Sequence, residues 1–423
     1  MHIGVYGAGY LGTVVSACLA DFGNPVTCYD PDAVRVCATA QGSIPFYEKN
    51  LKDVIKRNIR AGRLLYSSDM ELFASKAQVV FLAEDSSRYV EDVTVKLAAS
   101  LKHDAILVLV APVPVGTAAR IEPQMKGMPN KVTVVSHPLF LTDGCAVEDF
   151  NWPDRIVVGT RSTYAVQVLK QIYRPLAMRG VPIIVTTHET AELVREASTA
   201  FLATKISFIN EVSTLCEQVN ADAVDLALAL GLDKKIGPRC LQPGAGFGGP
   251  FVESDMESLA QLATSNGVSL RVLSAAREVN RSLSDRVVDK LSGVLESVSG
   301  KEFGILGLSF KPNTNSVAGS ASIHLAKSLM ARGGKVRAYD PVAIPDAKQE
   351  MDRMPVRYCE SAYHAAEGSD ALVVGTGWPE FRALDFERIK RLLRRPIVID
   401  TKNLLDGTRM RSMGYQYVGM GRT

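Results

Sequence analysis

The sequence has few of the residues that mark specialised proteins. Its 423 residues include seven cysteines: Cys18, Cys28, Cys37, Cys145, Cys216, Cys240 and Cys359. They are odd in number, widely spaced and free of CxxC pairs. That argues against a disulfide framework or a zinc site and for a reducing compartment. The six histidines are scattered, so no metal site is expected. No charge sign dominates, and the net charge of +3 is spread along the chain. This disfavours a dedicated nucleic-acid binder and fits weakly with a small anionic ligand. There is no apolar run long enough to cross a bilayer. There is also no basic segment with a cleavage site at the start, so a cytoplasmic location is expected. What remains is an ordinary globular balance, 47% apolar and 22% charged, of a length that suggests two or three domains.

The chain opens on a motif. Ile3 to Tyr6 is a β-rich run, and Gly7-Ala8-Gly9-Tyr10-Leu11-Gly12 follows it directly. A helical pattern comes next, then the strand Val26 to Tyr29, which ends in Asp30. Strand, G-x-G-x-x-G, helix, strand and acid together form the dinucleotide fingerprint in its required context. Gly7 permits the tight turn. Gly9 lets the backbone meet a pyrophosphate at the helix N-terminus, and Gly12 lets helix and strand pack. Asp30 can accept from a ribose and would repel a 2′-phosphate, which favours NAD over NADP. Tyr10, Leu11 and Arg35 complete the cofactor set expected of this turn.

Apolar runs at 78–83, 105–110 and 132–136, separated by helix-length segments, predict a parallel doubly wound sheet. His137 then begins an irregular segment at a strand end and reads as a loop histidine. From Glu189 to about Val219 a helical pattern runs without Gly or Pro, long enough to link domains and to bury a dimer face. Asp222 to Leu230 is another helix, with Asp222 its expected cap and Gly231 its expected stop. Pro243 to Asp255 carries four glycines in seven residues, which alone would read as a turn between helices. The opening pattern then recurs. Phe303 to Leu308 leads into a Gly turn, Lys335 to Tyr339 ends in Asp340, and strands at 371–374 and 396–399 follow. The turn Gly307 to Lys311 lacks a third glycine and carries a lysine, which suits a mononucleotide or phosphate. The expected architecture is α/β, with two Rossmann-like doubly wound parallel-sheet domains bridged by a long helix and a central helical segment. The expected domains are residues 1–188, 189–298 and 299–423.

The chain resembles the UDP-glucose/GDP-mannose dehydrogenase family over essentially its whole length. The resemblance rests on Gly9 to Gly12, Ile44 to Glu48, Val113 to Thr117, Ala200 to Glu211, Gly246 to Gly249, Gly307 to Thr314 and Trp378 to Phe381. It implies oxidation of C6 of a nucleotide sugar from alcohol to acid with two NAD⁺. A cysteine thiolate captures the aldehyde as a hemithioacetal, a second hydride transfer gives a thioester, and water hydrolyses it. It also implies an NAD contact at Ser86, where the family has a threonine, substrate contacts at Phe140, Leu141, Thr199, Lys235, Gly246, Phe247, Gly248, Lys311 and Lys402, and a homodimer through the central helices.

The groups that would perform this reaction are replaced. Phe251 occupies the nucleophile position, with Pro250 before it, and a phenyl ring cannot form a hemithioacetal. Leu139 stands for the glutamate that assists thioester hydrolysis. Arg195 stands for the lysine that stabilises charge on O6, and Thr199 for the asparagine one turn later. An arginine keeps the charge but shuttles protons poorly. The family's Arg-Glu-Ser becomes Ala318-Gly319-Ser320, while Lys402 keeps a positive charge. Asp255 keeps the family acid and is the candidate base, directly or through a water. Cys240 and Cys145 read as structural rather than as substitute nucleophiles. Two readings follow. One is a dehydrogenase with altered chemistry, able to run one two-electron step. The other is a non-catalytic NAD and nucleotide-sugar binder, a sensor or a partner of an active paralogue.

Overall fold

The structure is a computed structural model that describes residues 1–84, 89–101, 104–128 and 130–422. It divides into two compact units, Met1–Ala197 and Ser198–Thr423. In the first, eight strands form one sheet: β1 (Ile3–Tyr6), β2 (Val26–Tyr29), β3 (Leu64–Ser67), β4 (Val79–Leu82), β5 (Ala105–Leu109), β6 (Val132–Ser136), β7 (Ile156–Gly159) and β8 (Ile183–Thr186). Their order is β3-β2-β1-β4-β5-β6-β7-β8. Strands β2, β4, β5 and β7 are buried throughout and β1 is buried from Ile3 to Val5, as expected of a sheet covered by helices on both faces. The sheet is parallel except at β6 and β7, which meet antiparallel at Ser136 and Gly159. A parallel return needs a crossover that climbs the length of the strand. Residues 137–155 contain only one six-residue helix, Ala146–Asn151, and the chain comes back reversed.

The second unit holds β9 (Glu302–Leu306), β10 (Lys335–Tyr339), β11 (Val356–Tyr358), β12 (Ala371–Val374), β13 (Ile397–Asp400) and β14 (Gln416–Gly419). Every pairing is parallel, in the order β11-β10-β9-β12-β13-β14. This repeats the order of the first six strands of the other sheet. The likeness reaches single hydrogen bonds. Gly7 N donates to Tyr29 O at 2.8 Å, and Gly307 N to Tyr339 O at 2.7 Å. Ala8 N donates to Asp30 Oδ2 at 2.8 Å, and Leu308 N to Asp340 Oδ2 at 2.7 Å. Each acid ends a second strand and ties the turn that ends the first.

The helix His188–Val219 has 32 residues and is about 48 Å long at 1.5 Å per residue. Its first turns are locked to the first unit. Glu192, 4% exposed, accepts from Gly116 N at 2.6 Å, Ala118 N at 3.0 Å and Ser136 Oγ at 3.0 Å. Asp222 caps the Ala223–Leu232 helix as expected, accepting from Val224 N and Asp225 N. Gly231 does not stop that helix. It lies inside it, where a Cβ would come within 2.9 Å of Pro238 Cα. The glycine answers packing by a returning loop, and the helix ends at Leu232 with Asp233 as its C-cap.

Candidate functional site

The helix Tyr10–Asp21 is buried on all sides from Gly12 to Ala20, so it must enter the fold without side chains in the way. Gly7 has φ +97°, and a Cβ there would sit 2.8 Å from Ala83 O. A Cβ on Gly12 would sit 1.8 Å from Gly7 O. Gly9 is the extended N-cap, with no side-chain cap. The first-turn N–H groups have no intrahelical acceptors, as an anion at a helix N-terminus requires. Asp30, 3% exposed, also accepts from Asp32 N at 2.9 Å and pairs with Arg35 at 3.1 Å. A carboxylate offers about four lone-pair sites, which leaves room for one ribose hydroxyl. These residues fit NAD. Ser86 lies outside the described residues.

Tyr10 Oη donates to Glu48 Oε2 at 2.6 Å, and Gly144 N donates to the same oxygen at 2.6 Å. Glu48 is 6% exposed, and burial raises its carboxyl pKa against the hydrogen bonds it accepts. Burial also raises the Tyr10 phenol, which its bond to Glu48 reinforces. One buried carboxylate thus joins the Gly-rich turn to the segment after β6. In that segment Leu139 and Leu141 pack on the apolar core, and Arg155 lies 3.8 Å from the centroid of the Phe140 ring. His137 is 2% exposed, with ring nitrogens 2.7 Å from Val157 O and 2.8 Å from Tyr173 Oη. Burial pushes it down to about 4, and the Val157 carbonyl only partly opposes this. It is a neutral structural histidine.

In the second unit the Gly-rich stretch lies against the carboxyl edge of the second sheet. Ala245 N donates to Thr401 O at 3.1 Å and Gly249 N to Ala318 O at 2.9 Å. The Asn280 amide brackets Phe247, accepting from its N at 2.8 Å and donating to its O at 3.1 Å. Each glycine faces a close neighbour. A Cβ would meet Thr401 O at 2.7 Å from Gly244, Asn280 Oδ1 at 2.3 Å from Gly246 and Gly319 O at 2.1 Å from Gly248. From Gly249 it would meet the Phe310 ring at 2.9 Å. Backbone and side-chain packing therefore account for all four. Lys402, half-buried, approaches Gly244, and burial lowers its ammonium pKa against the pull of Asp400. Lys311 extends from the next turn, 5.8 Å from the centroid of the Phe310 ring. The structure thus brings Gly246, Phe247, Gly248, Lys402 and the Lys311 turn to one sheet edge. Lys235 is exposed on a separate loop.

Asp255 lies in the first turn of the helix Val252–Ser265 and is 3% exposed. It accepts from Thr199 Oγ1 at 3.0 Å, and Arg195 precedes Thr199 by one turn on the same helix. Phe251 is the N-cap of the Val252–Ser265 helix and is 37% exposed. A thiolate placed there would meet the positive end of the helix; a phenyl ring has no use for it. Cys240 offers no replacement, since burial pushes its thiol up against Lys205 and Arg239. Asp340 is more heavily engaged than Asp30. Its Oδ2 also accepts from Ser309 N at 3.0 Å, Ser309 Oγ at 3.1 Å and Trp378 Nε1 at 3.2 Å. No lone pair is left there for a ribose, so the second sheet lacks a dinucleotide acceptor at that position.

Sequence reasoning missed Glu48, Glu192 and Asn280 as organisers. Glu48 closes the family string beginning at Ile44, but its partners are 38 and 96 residues away. No local pattern exposes such a pairing.

Comparison with known proteins adds the following. Three profiles of the UDP-glucose/GDP-mannose dehydrogenase family match. The NAD binding domain matches residues 1–177, the central domain 189–282 and the UDP binding domain 304–407. A UDP-glucose 6-dehydrogenase of Rhizobium meliloti is 36% identical over 440 residues, covering 100% of both chains. The UDP-glucose 6-dehydrogenase TuaD of Bacillus subtilis is 35% identical, over 99% of this chain and 93% of its own length. The structure of a UDP-glucose dehydrogenase from Pyrobaculum islandicum superposes with a TM-score of 0.89 at 30% identity, covering 100% of this chain and 98% of that one.

Proposed function

The chain belongs to the UDP-glucose/GDP-mannose dehydrogenase family, and from that premise we propose that it binds NAD and a UDP-sugar, exchanges at most one hydride between them and makes no uronic acid. NAD is the family's cofactor and accepts or returns a hydride when bound. Gly7, Gly9, Gly12 and Asp30 would hold it, with Tyr10, Leu11 and Arg35. Lys311, Lys402 and Gly246 to Gly248 would hold the nucleotide sugar, with Phe140, Leu141, Thr199 and Lys235. The observation that carries the reading is Phe251 at the helix N-cap. Without a thiol there is no hemithioacetal and no thioester, so a second oxidation has no covalent route. Asp255, oriented by Thr199, is the group placed to move the hydroxyl proton. We place the protein in a reducing compartment, on its seven free cysteines. We also propose a homodimer. Phe201, Phe208 and Leu215 are 67%, 53% and 59% exposed. They recur every seven residues along one face of the long helix, an apolar row suited to a second copy of the chain.

The test mixes NAD⁺ and UDP-glucose with the protein at high concentration. Ligand binding is followed by calorimetry and NADH by absorbance, and the product sugar is identified by mass spectrometry. NADH with no uronic acid is expected. Uronic acid formed while Cys145 and Cys240 are both changed to Ser would overturn the reading. A second reading, a binder without turnover, draws on the burial of Asp255 and its bond to Thr199. Binding of both ligands with no NADH at all would establish it. The Phe251→Cys, Leu139→Glu variant run alongside tests whether the lost groups limit the reaction.

A further inference from the structure

Glu48 is buried, and its donors are one phenol and backbone amides. Oε2 accepts from Tyr10 Oη and from Gly144 N, both at 2.6 Å, and Oε1 from Val147 N at 3.5 Å. The helix Ala146–Asn151 gets no side-chain cap from its own N-cap residue, Cys145. Glu48 supplies, from a distant loop, the acceptor that a capping residue would. Gly144 has φ +75°, where glycine is unstrained. On the other side, Tyr10 opens the helix Tyr10–Asp21 directly after Gly9. Its ring packs on Phe46, with centroids 4.9 Å apart. All of these residues lie in the first unit.

A pyrophosphate at that helix end would fix the Gly9–Tyr10 backbone and with it the direction of the phenol. Hydrogen bonds that share one buried carboxylate strengthen one another, so a fixed Tyr10 donor also firms the bonds to Gly144 and Val147. Phe140 and Leu141 stand four and three residues before Gly144. We propose that Glu48 is a positioning residue that transmits occupancy of the dinucleotide turn to the segment 139–147, so that NAD and the nucleotide sugar each bind more tightly when the other is present. This coupling rests on the binding of both ligands argued above. Glu48 acts through Tyr10 and Gly144 and needs to touch neither ligand. The effect is reciprocal, because the factor by which NAD tightens the sugar is the factor by which the sugar tightens NAD.

The test uses NADH, which cannot accept a hydride, so UDP-glucose stays unreacted. Calorimetry gives the Kd of UDP-glucose with and without saturating NADH, for the wild-type chain and for Tyr10→Phe. That variant removes one hydroxyl and keeps the ring against Phe46. The wild-type ratio of the two Kd values is expected to be roughly fivefold or more, falling towards one in Tyr10→Phe. A purely structural role would weaken either ligand and leave the ratio unchanged. Hydrogen exchange of the peptide spanning 137–151 is the second measurement. NADH should slow it in the wild-type chain and not in Tyr10→Phe. Glu48→Gln keeps the shape but loses the carboxylate, and the same loss of coupling is expected if circular dichroism shows it folded; Tyr10→Phe decides if it is not. A wild-type ratio of one, or an equal ratio in both proteins, overturns the coupling and leaves the binding of the two ligands standing. Failure of NADH to bind overturns the proposed function and the coupling with it. If only UDP-glucose fails to bind, exchange decides: equal protection by NADH in both proteins, or none in the wild type, overturns the proposal.

Discussion

Three residues lend themselves to direct test. Phe251→Cys places a thiol at a helix N-cap, and its pKa should fall by about one unit or more below the ordinary 8.5. Alkylation by iodoacetamide, followed against pH on the peptide containing residue 251, measures it. An ordinary pKa there would mean that the helix end does not act on this position. Thr199→Val removes the donor that Asp255 accepts from inside the protein. A buried carboxylate deprived of a partner costs about 1–3 kcal/mol, readable as a lower urea midpoint. His137 has its folded pKa pushed down to about 4, against roughly 6.5 in the unfolded chain. Between those values the unfolded chain binds a proton that the folded one refuses. Stability should therefore fall as pH drops from about 6.5 towards 4, by on the order of 3 kcal/mol from this group. Thermal unfolding of His137→Gln across that window should show a flatter acid limb. Nothing in the local sequence announces this, because the partners of His137 are Val157 and Tyr173, far along the chain.

At the scale of elements, the sequence predicts some features well and others poorly. The first strand, the Gly turn and the helix after it are legible because each glycine sits at fixed spacing from a strand end. The long helix is legible because nothing breaks it. Strands β3, β7, β8, β11 and β14 escape notice: each has only three or four residues, too few for a period to emerge, and none sits beside the Gly turn and its acid that make the equally short β1 and β2 legible. The antiparallel step at β7 escapes for a different reason, since strand direction is fixed by the connection rather than by the strand. The glycines of 244–249 are recognisable as a motif, but their reason is not. Each answers to a residue at 280, 310, 319 or 401. Gly248→Ala would place a Cβ 2.1 Å from Gly319 O, and a loss of about 1–3 kcal/mol is expected from overpacking. Chemical denaturation measures this, and an unchanged midpoint would show that the two backbones can separate freely.

At the scale of the whole molecule, two sheets with one strand order emerge from two passages of one pattern, and that repetition is visible in the sequence at Tyr29-Asp30-Pro31 and Tyr339-Asp340-Pro341. What differs between them is not. Asp340 is saturated by Ser309 and Trp378, and only assembly of the second sheet reveals it. The row Phe201, Phe208 and Leu215 sets the expected oligomer. Phe208→Glu should convert a dimer to a monomer by sedimentation equilibrium, while far-ultraviolet circular dichroism stays unchanged. A wild-type chain that sediments as a monomer at micromolar concentration would refute the interface.

Four amides of the irregular 244–249 stretch donate to acceptors far away in sequence: Gly244 to Asn210 Oδ1, Ala245 to Thr401 O, Phe247 to Asn280 Oδ1 and Gly249 to Ala318 O. They can release their protons to solvent only when the long helix, the Arg271–Leu295 helix and the edge of the second sheet part from one another. In deuterated water this loop should exchange as slowly as β9 and β12, and far more slowly than its lack of regular structure suggests. A segment without helix or strand would then report, proton by proton, the opening of the whole second unit.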